Sequence, residues 1–225
     1  QRGEEAGARG LLSRARRIDP QSPEAHAHYA GILRALGRHD EALANYDRAL
    51  AAKPDLFEAL HERGVTLRAM RRYEEALESF ERALRIESRS AVAYYNRGLV
   101  QQDLGRHQDA VASYDQALAI APGFAEAMNN RGRALADMRR FDEALASWER
   151  AIAVKPDFPE ARNNRAAVLA HVRNRDPRPP ESAADAASPS AGVGAVTRRG
   201  LLVALALLVG AIGVALVDAG PIVMP

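Results

Sequence analysis

The sequence predicts an all-α chain in which helix-turn-helix units of 34 residues follow one another. Two observations favour this fold class: several residue types return on a fixed 34-residue period, and alanine is frequent while aromatic residues make up only 5% of the chain. A constant period is the signature of a repeat architecture. Alanine is the strongest helix former, and small side chains let helices pack closely. We therefore expect stacked helices rather than a sheet.

The second helix of each predicted unit carries an alanine, a large aromatic residue four positions later and another alanine three positions after that. This spacing places the three side chains on one helical face. Proline, which cannot continue a helix, follows three of the four helices. The triplets are Ala42, Tyr46 and Ala49; Ala76, Phe80 and Ala83; Ala110, Tyr114 and Ala117; and Ala144, Trp148 and Ala151, followed by Pro54, Ser88, Pro122 and Pro156 respectively.

A first helix precedes each second helix, and a short turn joins the two. The turns read LGRHDEA, MRRYEEA, LGRHQDA and MRRFDEA. Gly37 and Gly105 suit the left-handed backbone conformation that commonly ends a helix. Arg71 and Arg139 occupy the same position in the other two turns, so we expect modest backbone strain at these two residues.

The order of Gly, Ala, aromatic residue, Ala and Pro along the unit resembles the tetratricopeptide repeat (TPR). The resemblance covers residues 1–175 and implies a right-handed superhelical solenoid. It departs from the family pattern in the first helices, where Tyr94 alone keeps the usual aromatic residue. Because the array starts with a second helix, we expect the natural chain to begin upstream of Gln1. The predicted parts are a half-repeat at 1–22, repeats at 23–56, 57–90, 91–124 and 125–158, and a capping helix at 159–173.

The composition changes after the repeats. Residues 176–199 are rich in Pro, Ala and Ser, which predicts a flexible linker. Residues 200–217 then form a run of 18 residues without a charged or polar side chain. As a helix this run would be about 27 Å long, close to the roughly 30 Å thickness of the bilayer hydrocarbon. We therefore predict a C-terminal transmembrane helix at 200–217.

The charges that flank the predicted span give its orientation. Arg198 and Arg199 precede it, whereas Asp218 follows it within a short tail at 218–225. Basic residues favour the cytoplasmic side of a membrane span. The sequence thus predicts a single-pass protein with a C-terminal anchor, whose TPR domain faces the cytoplasm.

An asparagine occupies the sixth position of three first helices, as Asn96, Asn130 and Asn164. These residues are similar to the asparagine ladder of O-linked N-acetylglucosamine transferase repeats, a resemblance that implies contact with a peptide backbone. An Asn amide offers both a donor and an acceptor, and each bond contributes about 0.5–1.5 kcal/mol. The alternative is that they are solvated residues on an exposed face. His28 and Glu62 replace them in the first two repeats, so the predicted ladder belongs to the C-terminal half.

An arginine stands at the seventh position of four first helices, where the family usually has Leu. An acidic residue lies 16 residues before each of them, and the first repeat, with Tyr29 and Ser13 at these places, lacks both. This joint absence favours ion pairs between repeats, with the arginine stem along the apolar seam. The alternative is that each arginine reaches solvent. The hypothesised pairs are Arg63 with Asp47, Arg97 with Glu81, Arg131 with Asp115, and Arg165 with Glu149.

The composition disfavours several function classes. A net charge of +2 without a concentrated basic patch disfavours nucleic-acid binding. The chain has no Cys, which excludes disulfides and thiolate chemistry. His61 begins the sequence HERGV, which lacks the second histidine of an HExxH zinc helix. We expect no enzyme activity, metal, cofactor or small-molecule substrate.

The sequence therefore predicts a protein-interaction scaffold, a TPR domain that binds a peptide or protein segment in its concave groove and is anchored to a membrane. The alternative is that these repeats belong to a larger enzyme of glycosyltransferase type whose catalytic part is not in this chain. A co-chaperone clamp for acidic C-termini fits poorly, because Arg34 and Arg68 lie in the half of the array without the asparagines.

Overall fold

The structure, a computed structural model, describes residues 22–175, and the chain is helical throughout this part apart from short turns. The predictions for residues 1–21 and 176–225 lie outside the described residues. The helices are α1 (Pro23–Ala35), α2 (His39–Ala52), α3 (Phe57–Ala69), α4 (Tyr73–Ile86), α5 (Ala91–Asp103), α6 (His107–Ile120), α7 (Ala125–Asp137), α8 (Phe141–Val154) and α9 (Pro159–Arg175).

The helices pair into four helix-turn-helix repeats, and α9 follows as a further first helix. The first and second helix of each repeat pack together, and each second helix also packs on the first helix of the next repeat. The predicted all-α stack of repeats is thereby confirmed. Between residues 22 and 175 we find no helix that is both long and apolar enough to cross a bilayer, and the span predicted at 200–217 lies outside this range.

The turn inside each repeat takes the left-handed conformation expected from the sequence. The backbone φ angle is 73° at Gly37 and 71° at Gly105, and it is 60° at both Arg71 and Arg139. In the first turn, Arg38 N donates to the carbonyl of Leu33 at 2.9 Å, the long bond of a Schellman motif. For an L-residue with a side chain this conformation costs about 1–2 kcal/mol, so the two arginines are strained where the glycines are not.

The two helices of a repeat approach closely because a glycine of the first helix faces the aromatic residue of the second. A Cβ atom added at Gly64 would lie only 2.8 Å from the Phe80 ring, which is fully buried. Real Cβ atoms essentially never approach another atom this closely, so a side chain at Gly64 would force the Phe80 ring to shift. The corresponding distances are 2.6 Å from Gly98 to Tyr114 and 2.7 Å from Gly132 to Trp148.

The first repeat departs from this arrangement. Ala30, which is fully buried, stands at the place of these glycines, and Gly31 follows one residue later. A Cβ atom at Gly31 would meet only the hydroxyl oxygen of Tyr46, at an ordinary contact distance of 3.9 Å. The glycine of the first repeat therefore leaves open space beside the aromatic side chain.

We predict that Gly64→Ala destabilises the protein, because the added methyl group collides with a ring that has no room to move. The overpacking cost, about 1–3 kcal/mol, should exceed the roughly 1 kcal/mol that alanine contributes to a helix. Urea unfolding at equilibrium measures the change. Gly31→Ala is the matched control, also a helical glycine facing an aromatic residue, and should be neutral or stabilising. A Gly64→Ala variant as stable as the wild type would contradict this account of the helix contact.

Candidate functional site

The first helices of the repeats line one face of the stack. The helices α1, α3, α5, α7 and α9 approach one another in succession, whereas the backbones of the second helices in the described part of the chain lie farther apart. In a curved stack, the elements that lie closest together are on the inner side. We call the surface formed by these five first helices the inner face.

The three asparagines predicted to contact a peptide each form a hydrogen bond with the preceding first helix. Asn96 Nδ2 lies 2.9 Å from His61 Nε2, and Asn130 Nδ2 lies 2.9 Å from the hydroxyl oxygen of Tyr95. The third bond joins Asn164 Nδ2 to Asn129 Oδ1 at 3.0 Å. Each partner is found 35 residues earlier, one repeat plus one residue. A peptide-binding role for the asparagines remains a prediction, and the amide nitrogen of each already donates within the fold.

Ion pairs join the first helices in the N-terminal half of the inner face. Arg34 Nη2 of α1 lies 3.0 Å from Glu62 Oε2 of α3, and Arg68 Nε of α3 lies 2.6 Å from Asp103 Oδ2 of α5. Together with the asparagine bonds, they give every pair of neighbouring first helices at least one polar link. The inner face is therefore a row of polar side chains whose positions are fixed across the repeat boundaries.

His61 connects two of these links. Its Nε2 accepts from Asn96, and its Nδ1 lies 3.3 Å from Glu62 Oε1, an arrangement that suits the neutral ring with its proton on Nδ1. The ring stacks on Phe57 with a centroid distance of 5.9 Å. The bond with His61 lowers the pKa of Glu62 below its ordinary value of 4.5, and Arg34 acts in the same direction, against the opposing effect of burial.

Three of the seventh-position arginines contact the preceding repeat. Arg63 Nε lies 2.8 Å from Asp47 Oδ1 of α2, and Arg63 Nη1 donates to Ser79 Oγ of α4 at 2.7 Å. The Arg63 side chain is only 19% exposed, so it lies within the repeat interface rather than in solvent. The corresponding pairs are Arg131 with Asp115 at 2.6 Å and Arg165 with Glu149 at 3.2 Å.

Arg97 does not make the hypothesised pair with Glu81, although both residues lie in the described part of the chain. Its guanidinium group instead lies 5.1 Å from the centre of the Tyr94 ring, and its Nε donates to Ser113 Oγ at 2.9 Å. Tyr94 is the aromatic residue that only this repeat keeps at its position. Because the ring attracts the cation, it holds Arg97 on its own repeat.

The partners of the asparagines, namely His61, Tyr95 and Asn129, were not predicted from the sequence. Each immediately precedes the sixth position of its repeat, so a polar residue at the fifth position was the available signal. The described residues contain no cluster of three acidic or histidine side chains that could hold a metal ion.

Comparison with known proteins supports the repeat assignment. A model of the tetratricopeptide repeat matches residues 21–88, 55–123 and 89–157, and a second model of this repeat matches residues 129–188. The chain belongs to the tetratricopeptide repeat family. No curated protein matches the chain.

Solved TPR structures share the fold. YrrB, described as a TPR protein with an unusual peptide-binding site, is 25% identical with a TM-score of 0.63, over 73% of this chain and 85% of YrrB. TTC0263, a thermophilic TPR protein of Thermus thermophilus, is 30% identical with a TM-score of 0.59, over 71% of this chain and 88% of that one. The first TPR of Spaghetti (RPAP3), bound to an HSP90 peptide, is 22% identical with a TM-score of 0.51, over 52% and 92%. This last likeness is one of fold alone.

We predict that Glu62→Gln lowers stability at pH 7 but not in acid. Because the pKa of Glu62 is lower in the folded protein, its carboxylate stabilises the fold above the ordinary value of 4.5, and this contribution is lost as the pH falls through the folded pKa. The loss at pH 7 should be about 0.5–1 kcal/mol for a partly exposed pair. Urea unfolding of the wild type and of Glu62→Gln, at pH 7 and at pH values below 4.5, measures the difference in stability.

The control is Glu81→Gln, an exposed carboxylate in the middle of α4 without an ion-pair partner among the described residues. It should leave stability at pH 7 unchanged. A difference between Glu62→Gln and the wild type that stays constant from pH 7 into acid would contradict the prediction.

Proposed function

We propose that this protein is an interaction module that binds an extended segment of a partner protein on its inner face. The observation that carries the proposal is the continuous row of polar side chains along the first helices, at the spacing of the repeats. An extended peptide presents backbone donors and acceptors at regular intervals, which such a row can meet. The description of YrrB as a protein with a peptide-binding site supports the same use of a related fold.

The links between the first helices favour binding because they fix the inner face in advance. A surface already ordered before the partner arrives loses less conformational entropy on association. Arg133, which is exposed on α7 and has its Nη1 3.4 Å from Asn130 Oδ1, would add a charged donor in the C-terminal half. The role we propose is non-catalytic, as is typical of the family.

The proposal includes a membrane tether. Its support is the uncharged run at residues 200–217, preceded by Arg198 and Arg199. The linker at 176–199 would let the repeat domain reach a partner at some distance from the bilayer. The module would then bring its partner to the cytoplasmic surface of a membrane.

The experiment selects 12-residue peptides from a displayed library on the full chain in detergent micelles. Selected peptides are resynthesised with a photoreactive benzoylphenylalanine, irradiated with the chain, and the cross-links are mapped by mass spectrometry. We expect cross-links to residues of α1, α3, α5, α7 or α9, and weak labelling by scrambled peptides. Cross-links confined to the second helices, or a library that yields no binder, would contradict the proposal.

The tether is tested in parallel by extracting membranes with alkaline carbonate. The full chain should stay in the pellet if residues 200–217 span the bilayer, and its release into the supernatant would remove the tether from the proposal.

A further inference from the structure

A cleft of about 700 Å³ opens on the inner face at the first repeat. Helices α1 and α3 form its sides, and Tyr46 of α2 and Leu56 lie deeper between them. The space exists because the first repeat has Gly31 where the later repeats place a side chain, and no Cβ atom fills the region beside the Tyr46 hydroxyl. The cleft is thus a consequence of the displaced glycine of this repeat.

The hydroxyl of Tyr46 faces this cleft without a hydrogen-bond partner among the described residues. The residue is buried, with only 1% of its surface exposed. Burial, with the Glu62 carboxylate nearby, raises the pKa of Tyr46 to about 12 against the opposing influence of the Arg34 and Thr66 side chains, so the hydroxyl keeps its proton at neutral pH and can donate. Buried polar groups in folded proteins are nearly always paired, which makes this hydroxyl an exception.

The third repeat shows how the same tyrosine is satisfied elsewhere. Tyr114 is its equivalent, and the Tyr114 hydroxyl donates to Gln102 Oε1 at 2.9 Å. The residue that corresponds to Gln102 in the first repeat is Arg34, whose guanidinium group offers only donors. Tyr46 therefore cannot donate to its neighbour as Tyr114 does.

Arg34 brings a second unpaired donor to the same place. Its Nη2 pairs with Glu62, but its buried Nε has no partner among the described residues. Arg34 Nε and the Tyr46 hydroxyl are thus two buried donors without a partner among the described residues, and they lie close together at the wall of the cleft. A single oxygen atom with two lone pairs could accept from both.

The charges around the cleft favour a neutral oxygen-bearing group over an anionic one. Glu24 pairs with Lys53 at 2.9 Å, and Arg34 pairs with Glu62, so these four charges balance. Glu58, exposed at the edge of the cleft, forms no ion pair among the described residues, and it shares the nearby Lys53 with Glu24, so the carboxylates of the cleft outnumber the lysine and arginine side chains. An incoming carboxylate or phosphate would meet this excess negative charge, whereas a neutral carbonyl would not. A cation carried beside that carbonyl would be attracted to Glu58.

We propose that the cleft binds an extended peptide segment that carries a lysine or arginine. A backbone carbonyl of the peptide accepts from Tyr46 and Arg34, and the basic side chain of the peptide pairs with Glu58. This inference rests on the proposed function, since it assigns the inner face of the first repeat as one peptide subsite and gives its preference for a basic residue.

The test uses two synthetic nine-residue peptide libraries with acetylated and amidated ends, one with Lys and one with Glu fixed at the centre. The full chain in detergent micelles is immobilised, and the retained peptide is measured. We expect the Lys library to be retained several-fold more than the Glu library. Tyr46→Phe, which removes only the hydroxyl oxygen, should reduce retention of the Lys library about 3–10-fold. Glu58→Gln should remove the preference for Lys.

The matched control is Tyr114→Phe, which deletes the equivalent hydroxyl in a repeat without this cleft and should bind the Lys library as the wild type does. The two variants should also differ in stability. Tyr46→Phe should unfold at the same or a higher urea concentration than the wild type, because its hydroxyl makes no hydrogen bond with the part of the chain that the structure describes. Tyr114→Phe should unfold at a lower one.

Equal retention of the Lys library by the wild type and Tyr46→Phe would overturn the proposal, as would equal retention of both libraries by the wild type. The cross-linking experiment with the displayed library tells this outcome apart from failure of the proposed function, because it reports whether peptides bind the inner face at all. If those cross-links are found while Tyr46→Phe and Glu58→Gln bind normally, peptides bind elsewhere on the inner face. If no displayed peptide binds at all, the proposed function fails together with the cleft.

Discussion

Each repeat depends on the next one to cover its apolar face, because two helices alone cannot bury it. This constraint also brings polar side chains of neighbouring first helices into a shared interface, where they need partners across the boundary. Asn130, with 8% of its surface exposed, is satisfied by the hydroxyl of Tyr95 from the preceding repeat. Arg63 is satisfied on both sides, by Asp47 and Ser79. Stacking and polar pairing are therefore two aspects of one interface.

The polar links matter for function because they hold the inner face in one geometry. The glycine and aromatic contacts set the distance between the helices of a repeat, and the links set the position of one repeat on the next. The first repeat keeps a polar link to the next repeat but lacks the glycine contact with the aromatic ring. Ala30 stands at the place of that glycine, and Gly31 follows one residue later. The hydroxyl of this repeat's aromatic side chain, Tyr46, finds no hydrogen-bond partner between residues 22 and 175. Among the described residues, the unpaired donors that line the inner-face cleft therefore belong to this irregular repeat.

The sequence was sufficient for features that depend on local pattern. The 34-residue period locates the helices. The left-handed backbone at Gly37 and Arg71 follows from their equivalent positions in the turn between the two helices of a repeat. The asparagine links between repeats depend on the stagger of neighbouring first helices, which sets a spacing of 35 residues that a 34-residue period does not reveal. The contact made by the Arg97 side chain depends on competition between two partners. Sequence spacing suggested Glu81, but the guanidinium group lies on the nearby Tyr94 ring. Which partner a side chain contacts depends on distances in the folded protein, and these cannot be read from the sequence period.

The central claim is that hydrogen bonds across the first helices stabilise the stack, and a double-mutant cycle at Asn130 and Tyr95 tests it most directly. Tyr95→Phe removes the hydroxyl while keeping the ring on Phe124, 4.8 Å away between centroids, and Asn130→Ala removes the amide. Unfolding free energies of the wild type, both single variants and the double variant give the coupling. The account predicts a coupling of about 0.5–1.5 kcal/mol. A coupling indistinguishable from zero would mean that the link contributes nothing to the stack.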